Sequence, residues 1–259
     1  MTDGRPTKAV ILPSYNSGPL LVRTARKALL EWPLVWVVID GSTDSSAAEI
    51  LLEARSQKGL HVLRLDHNQG KGAAVLAVMR EAQRQGVTHG LVMDADGQHP
   101  ASSIREFMAL SNACPGAMIL GVPVFGPDAP RERVFGRRIG NTCAELETLG
   151  AGVRDSLFGF RLYPIERSLE VMAQTRGGRR FDFDTEIAVR LLWAGVRPIN
   201  RPVPVTYPPR SEGGVTHFRY LRDNFLLACT HLRLCLGLLP RLPRVLALKR
   251  KWRSLPETA

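Results

Sequence analysis

Three nearly continuous apolar runs, Ala9–Leu12, Leu34–Ile39 and Gly90–Met93, alternate with segments patterned for helices, and this alternation limits the fold more than any other feature. A strand that is apolar on both faces must be covered on both, and a parallel sheet with helices above and below it does this. His61–Leu65 reads as a further strand between the second and third runs. The intervening segments carry helical stripes. Leu21, Ala25, Ala28 and Leu29 follow Pro19, a residue suited to a first helical position. Ala47, Ile50, Leu51 and Ala54 follow the capping-box pattern Ser46–Glu49, and Val75, Val78, Met79 and Ala82 form the third stripe. The spacing predicts an α/β fold with a Rossmann-like, doubly wound, mostly parallel sheet.

The second half is less regular. Arg131–Gly150 and Asp184–Ala194 are predicted helices and Leu157–Tyr163 a strand. Pro198, Pro202 and Pro204 restrict any strand over Pro198–Tyr207 to a sheet edge.

Sheets of this kind bind ligands beyond the carboxyl ends of their strands. Ser14–Asn16, Asp40–Ser42 and Asp94–Asp96 fall there and are expected to meet in one crevice. In an extended chain the side chains of Asp94 and Asp96 point the same way, and Gln98 continues the alternation. Hard oxygen ligands without Cys or His suit Mg2+ or Mn2+, which keep open positions for substrate phosphates. The bland alternative is a solvated acidic turn. Gly70-Lys71-Gly72 opens the third helix, where backbone N–H groups and an ammonium can face phosphate.

Taken in order, Ile11-Leu12-Pro13-Ser14-Tyr15-Asn16, Ile39-Asp40-Gly41-Ser42-Thr43-Asp44, Asn68-Gln69-Gly70-Lys71-Gly72 and Asp94-Ala95-Asp96-Gly97-Gln98 resemble family 2 glycosyltransferases of GT-A fold. The nearest branch is the dolichyl- or polyprenyl-phosphate sugar synthases, to which Asp155-Ser156-Leu157-Phe158-Gly159-Phe160-Arg161 is also similar. The resemblance spans roughly residues 8–217. It implies a nucleoside-diphosphate sugar donor bound by Pro13, Tyr15, Asn16, Asp40, Lys71, Asp94 and Ala95, with a metal held by Asp94, Asp96 and Gln98. It also implies transfer, with inversion, to a lipid-linked or polyprenyl-phosphate acceptor. This chain has Ile39 where the family usually has a first acid beside Asp40, and Arg210–Thr216 is one residue longer than the family's Arg-x-x-Gly-x-Ser.

A phosphate monoester acceptor needs no base, whereas a lipid alcohol does. Asp184 and Glu186, within Phe181–Glu186, are the catalytic or acceptor-orienting candidates, although acids at a helix start are also ordinary. Arg161 joins them as a catalytic candidate and, with Arg133 and Arg138, as a candidate for gripping the acceptor phosphate. His217 is either a late ligand of the diphosphate or a polar loop residue.

Of a net charge of +11, residues 217–259 hold a surplus of seven, nine Lys/Arg against two Asp/Glu. Residues 1–216 are therefore read as the transferase domain and 217–259 as an amphipathic, basic helical segment. Phe225–Leu239 is apolar but is interrupted by His231 and Arg233 and is short for a span. Together with Arg241, Arg244, Lys249, Arg250, Lys251 and Arg253 it reads either as a peripheral anchor on an anionic leaflet or as a core helix with a solvated basic tail. Four scattered cysteines and a polar N-terminus predict a cytoplasmic protein, peripheral at the cytoplasmic face of the membrane. A sugar-phosphate nucleotidyltransferase would want a glycine-rich basic loop after the first strand, and Pro13–Gly18 is not one. A nicotinamide dehydrogenase would want G-x-G-x-x-G there. Nucleic acid is not an expected partner, because a single Trp lies among the basic residues of the tail.

Overall fold

The computed structural model describes residues 6–126, 131–205 and 220–255. Its strands are β1 (Lys8–Ser14), β2 (Val35–Asp40), β3 (Leu60–Leu65), β4 (His89–Val92), β5 (Ala117–Phe125), β6 (Arg161–Pro164) and β7 (Arg197–Val205). Around them lie helices α1 (Leu20–Glu31), α2 (Ser46–Ser56), α3 (Lys71–Arg84), α4 (Ile104–Ala113), α5 (Arg131–Glu147), α6 (Ile165–Ala173), α7 (Phe183–Trp193), α8 (Tyr220–Leu238) and α9 (Leu242–Arg253). The strands form one sheet in the order β3-β2-β1-β4-β6-β5-β7. β6 runs antiparallel to both neighbours, and the other pairs are parallel. The mixed α/β fold matches the expected mostly parallel architecture, and proline-rich β7 is an edge strand as predicted.

Alternation along the strands builds two cores. Val10, Leu12, Val35, Val37 and Ile39 face α1, α2 and α4. Ala9, Ile11, Trp36 and Val38 face α3, α6 and α7 on the other side. The second core also takes in Leu234 and Leu238 of α8 and Val245 of α9, so the C-terminal helices pack on the sheet's helical layer. Among the described residues, Leu221–Arg253 is the one helical stretch long and apolar enough to cross a membrane by length and composition.

Several local expectations need adjusting. The cap of α2 is not Ser46: the Asp44 carboxylate accepts from the Ser46 N–H (3.2 Å), because Asp44 lies just outside the first turn. The strand expected over Leu157–Tyr163 starts only at Arg161, since Asp155 folds the preceding residues into a turn. β5 and α4 lie in a stretch whose sequence pattern carried no assignment.

Strand order reverses beside β1, which pairs with β2 on one side and β4 on the other. Loops leaving such neighbouring strands diverge to opposite faces and open a crevice at the carboxyl edge. Residues following β1, β2 and β4 therefore converge there.

Candidate active site

Two carboxylates from distant parts of the chain close on one ammonium. Lys71, the first residue of α3, puts Nζ 2.7 Å from Asp94 Oδ1 and 2.7 Å from Asp184 Oδ2. The Lys71 and Asp184 side chains are 11% and 5% exposed, and Asp94, at 30%, is the member that faces outward. Burial would push the Lys71 amine down, but Asp184 and Asp94 outweigh it and raise its pKa above the ordinary lysine value. Burial likewise opposes ionisation of Asp94, and Lys71 and His99 overcome it, so its carboxyl is held below the usual range. For Asp184 burial prevails over Lys71 and Arg161, and Asp94 adds repulsion, so its pKa is raised. The shared lysine thus leaves one carboxylate firmly ionised and the other easier to protonate.

Three loops fix this bridge. Asp40, at the end of β2, accepts from the Gln69 N–H (2.7 Å) and the Gly70 N–H (2.8 Å). It anchors the turn that delivers Lys71. Gly70 has φ +99°, a conformation costly for other residues, and a Cβ there would fall 2.5 Å from the Arg179 carbonyl. Asp155 shapes the second loop, accepting from Leu157 N–H (3.0 Å), Phe158 N–H (2.7 Å), Arg137 (2.7 Å) and Asn141 (3.1 Å). That loop presents Gly159, where a Cβ would lie 2.4 Å from Asp94 Oδ2 and 2.7 Å from Lys71 Nζ. In the third loop the Asp94 N–H donates to His99 Nδ1 (3.1 Å), which puts the proton of the neutral ring on Nε2, 4.0 Å from Asp94 Oδ2. His99 packs edge-on against Phe158 and Phe160. Burial, with Lys71 and Arg137 nearby, lowers its pKa to about 4 against the pull of Asp94, so it is neutral at physiological pH.

The predicted donor residues divide into two neighbouring groups. Lys71, Asp94 and Asp40 belong to the bridge and its anchor. Ala95 is buried behind it, where its carbonyl accepts from Thr24 (3.4 Å). Pro13 and Tyr15 are partly buried at the end of β1, and Asn16 binds the β2–α2 loop, its Oδ1 accepting from the Thr43 N–H (2.8 Å). Asn16 has φ +46°, and its own N–H donates to Ser42 (3.0 Å). Asp40, expected among the donor-binding residues, receives backbone amides of the lysine turn on both its oxygens.

The ligand row expected from strand alternation has a different geometry. β4 ends at Val92, and Ala95–Asp96 form a turn closed by Gly97 at φ +75°, with Asp96 Oδ1 accepting from the Gln98 N–H (3.0 Å). Asp94, Asp96 and Gln98 therefore come from a turn and not from one face of a strand. No group of three or more His, Cys, Asp and Glu side chains placed to hold a metal occurs among the described residues. The donor set on this turn, two carboxylates and an amide, still has the hard-oxygen chemistry that Mg2+ or Mn2+ takes. Its leading member, Asp94, is ionised and the most open of the bridge residues, so the residues fit such an ion.

On the acceptor side the structure separates the candidates. Asp184 joins the bridge, and its Oδ1 is buried with no hydrogen-bond partner among the described residues. Glu186 is fully buried on the other side of α7, paired with Arg190 (2.5 Å) and Arg233 (2.5 Å). It does not reach the bridge because two helical residues turn the chain about 200°. Arg161 is fully buried and donates to the carbonyls of Asp184 and Asp155 (2.8 Å) and to Tyr163 Oη (3.4 Å). It braces the site from beneath and does not present its guanidinium to an acceptor. The raised pKa of Tyr163, about 12, follows first from burial. Arg138 is exposed on α5, while the Arg133 side chain, His217 and Arg210–Thr216 lie outside the described residues.

Arg137, not singled out in the sequence, is the α5 arginine that reaches the Asp155 loop, with its guanidinium 5.6 Å from the Phe125 ring centre and 5.9 Å from that of Phe158. A signal was present, because Arg137 shares a helical face with Gly140, Asn141 and Ala144. Gly159 stood inside a recognised segment and His99 directly after one, but their tasks depend on tertiary contacts.

A mostly parallel sheet in this order, with acidic and basic loops gathered at one edge, is the GT-A type of glycosyltransferase fold. The chain belongs to glycosyl transferase family 2, whose pattern matches residues 9–175. It is 28% identical over 220 residues to polyprenol monophosphomannose synthase of Mycolicibacterium smegmatis, covering 81% of each chain. It is 28% identical over 202 residues to dolichyl-phosphate beta-glucosyltransferase ALG5D of Trichomonas vaginalis, covering 69% of this chain and 59% of that one. Glucosyl-3-phosphoglycerate synthase from Mycobacterium tuberculosis, solved with Mn2+, UDP and glucosyl-3-phosphoglycerate, shares the fold at TM-score 0.56 and 16% identity, covering 92% of this chain and 80% of that one.

Gly159→Ala should crowd the bridge, and overpacking of this kind costs about 1–3 kcal/mol. Urea denaturation should show that loss for Gly159→Ala and almost none for Gly116→Ala, whose added methyl meets nothing within 4 Å. Equal midpoints for the two variants would contradict the packing role.

Proposed function

We propose that the protein moves a sugar from a nucleoside-diphosphate sugar onto a polyprenyl-phosphate acceptor, with inversion at the anomeric carbon and with Mg2+ or Mn2+ as cofactor. The observation that carries the reading is the ionised Lys71–Asp94–Asp184 bridge at the carboxyl edge of a family 2 fold. Relatives named for polyprenol-phosphate and dolichyl-phosphate chemistry supply the acceptor class.

In this reading an acceptor phosphate oxygen attacks the anomeric carbon while the bond from that carbon to the diphosphate oxygen breaks. The nucleoside diphosphate leaves with the electron pair of that bond. A phosphate monoester is already anionic at neutral pH, so the step needs no base from the protein. Asp94, Asp96 and Gln98 would hold the cation, whose charge offsets that of the departing diphosphate. Lys71 stays protonated and adds a second positive charge beside the leaving group. Tyr15 and Asn16, the latter held by the β2–α2 loop, would line the nucleoside pocket. Asp184, with one oxygen on Lys71, orients the acceptor, and Arg138 is the exposed arginine available to its phosphate.

The acceptor class suits a membrane surface, and α8 offers one face to it. Leu221, Phe225, Leu232, Leu236 and Leu239 recur at helical spacing and are between 60% and 83% exposed. Ala228, Cys229 and Cys235 complete the stripe without a charge. Beyond it α9 exposes Arg244, Arg250, Lys251 and Arg253, and no acid occurs between Asn224 and Leu255. An apolar stripe continued by cations matches an anionic leaflet, with the helix lying in the interface on the cytoplasmic side.

The donor test is a thermal-shift screen of UDP-, GDP- and dTDP-sugars with Mn2+. One donor should raise the midpoint in the wild type, and Asp96→Asn should lose both that shift and transfer while keeping its unliganded midpoint. Full transfer by Asp96→Asn with metal chelated would defeat the metal assignment. For the membrane surface, Leu232→Glu with Leu236→Glu should lower partitioning onto phosphatidylglycerol vesicles by more than about tenfold, since each buried leucine contributes roughly 1.5–3 kcal/mol. Undiminished sedimentation with vesicles would remove the docking face.

A further inference from the structure

The first turn of α7 divides its acids between two sides. Asp182 and Glu186, four apart, face α8, and Asp184 between them faces Lys71. From α8, Arg233 pairs with Glu186 (2.5 Å), and the Thr230 hydroxyl donates to Asp182 Oδ2 (3.2 Å). Thr230, Asp182 and Glu186 are all buried, so water offers no replacement partner.

The same acids shape the loop between α6 and α7. Asp182 accepts from the Gly178 N–H (2.7 Å) and the Arg180 N–H (3.0 Å). The Arg233 guanidinium lies so close to this loop that a Cβ on Gly177 would be 2.0 Å from it. On its far side the loop supports the start of α3. The Ala73 N–H donates to the Arg179 carbonyl (3.0 Å). A Cβ on Gly72 would meet the Gly178 carbonyl at 2.2 Å, and one on Gly70 would meet that of Arg179 at 2.5 Å. An unbroken run of contacts thus leads from Thr230 and Arg233 through residues 177–182 to the glycines on either side of Lys71.

We infer that Arg233 and Thr230 are positioning residues for the donor site, holding Lys71 and Asp184 in register through the residue 177–182 loop and the first turn of α7. Donor binding then depends on the seating of α8, the same helix whose outer face carries the apolar stripe. Neither side chain touches the bridge. Their effect on the donor rests on the transferase reading above, whereas their effect on Lys71 rests on the contacts alone.

The experiment uses the full chain with Arg233→Ala, Arg233→Lys, Thr230→Val and, as a control whose added methyl meets nothing within 4 Å, Gly116→Ala. Two quantities are read: acetylation of Lys71 by acetic anhydride at fixed pH, followed by peptide mass, and KM against kcat with UDP-glucose or GDP-mannose, whichever stabilises the wild type. Loss of the charged hydrogen bond that Arg233 donates to buried Glu186 predicts roughly tenfold faster Lys71 labelling and a similar rise in donor KM for Arg233→Ala. Arg233→Lys should recover most of both, and Gly116→Ala should match the wild type. Thr230→Val, which keeps the side-chain shape, should shift both in the same direction and carries the test if Arg233→Ala fails to fold. Unchanged labelling and KM in a folded variant would overturn the inference, as would a fall in kcat alone. A wild type inactive with every donor would count against the transferase reading, and the labelling would still decide the coupling.

Discussion

Lys71 bridges two carboxylates at a depth where neither it nor Asp184 could stand alone in its charged form. A buried ion with its partner removed costs several kcal/mol, so the three groups are obliged to stay together. Arg161, buried beneath them against the Asp184 carbonyl, brings the cluster to two cations and two anions. Much of the surrounding sequence follows from that obligation. Gly159 makes room for Asp94 and the lysine, Gly70 and Gly72 let the lysine turn approach the residue 177–182 loop, and Asp40 ties that turn to the end of β2. The bridge is also asymmetric. Asp94 is ionised and open, as a cation site requires, and Asp184 is enclosed, with its Oδ1 unpaired among the described residues.

The first half of the fold was legible because β1, β2 and β4 are covered on both faces and so read as unbroken apolar runs. β5 escaped because Gly121 and Pro123 interrupt it. β6 was drawn too long because the Asp155 turn that precedes it is as apolar as a strand. Side-chain direction was the weaker inference throughout. Asp94 and Asp96 were aligned on an extended chain, but β4 ends at Val92 and the chain turns at Ala95–Asp96. Asp184 and Glu186 were grouped by proximity in sequence, and helix geometry sends them to opposite sides of α7.

The three residues of the bridge were named in the sequence, but their pairing was not. Lys71, Asp94 and Asp184 were each singled out from the sequence, and nothing in their spacing of 23 and 90 residues joins them. Their meeting depends on strand order, which sequence pattern does not fix. Arg161 shows the complementary error. An arginine in a motif suggests an exposed phosphate grip, and here it serves the backbone carbonyls of two loops. The C-terminal helices also take on a double character that composition alone left open: one face of α8 enters the core through Leu234 and Leu238, and the other carries the exposed stripe.

The most direct test of this account is the titration of the Lys71 ammonium, followed by side-chain 15N NMR and assigned by its loss in Lys71→Met. A bridge to Asp94 and Asp184 predicts that this amine remains charged above the ordinary lysine value of 10.5, and that its signal moves when a nucleoside diphosphate is added with Mg2+. An amine that titrates at or below 10.5, with a signal indifferent to the nucleotide, would contradict it.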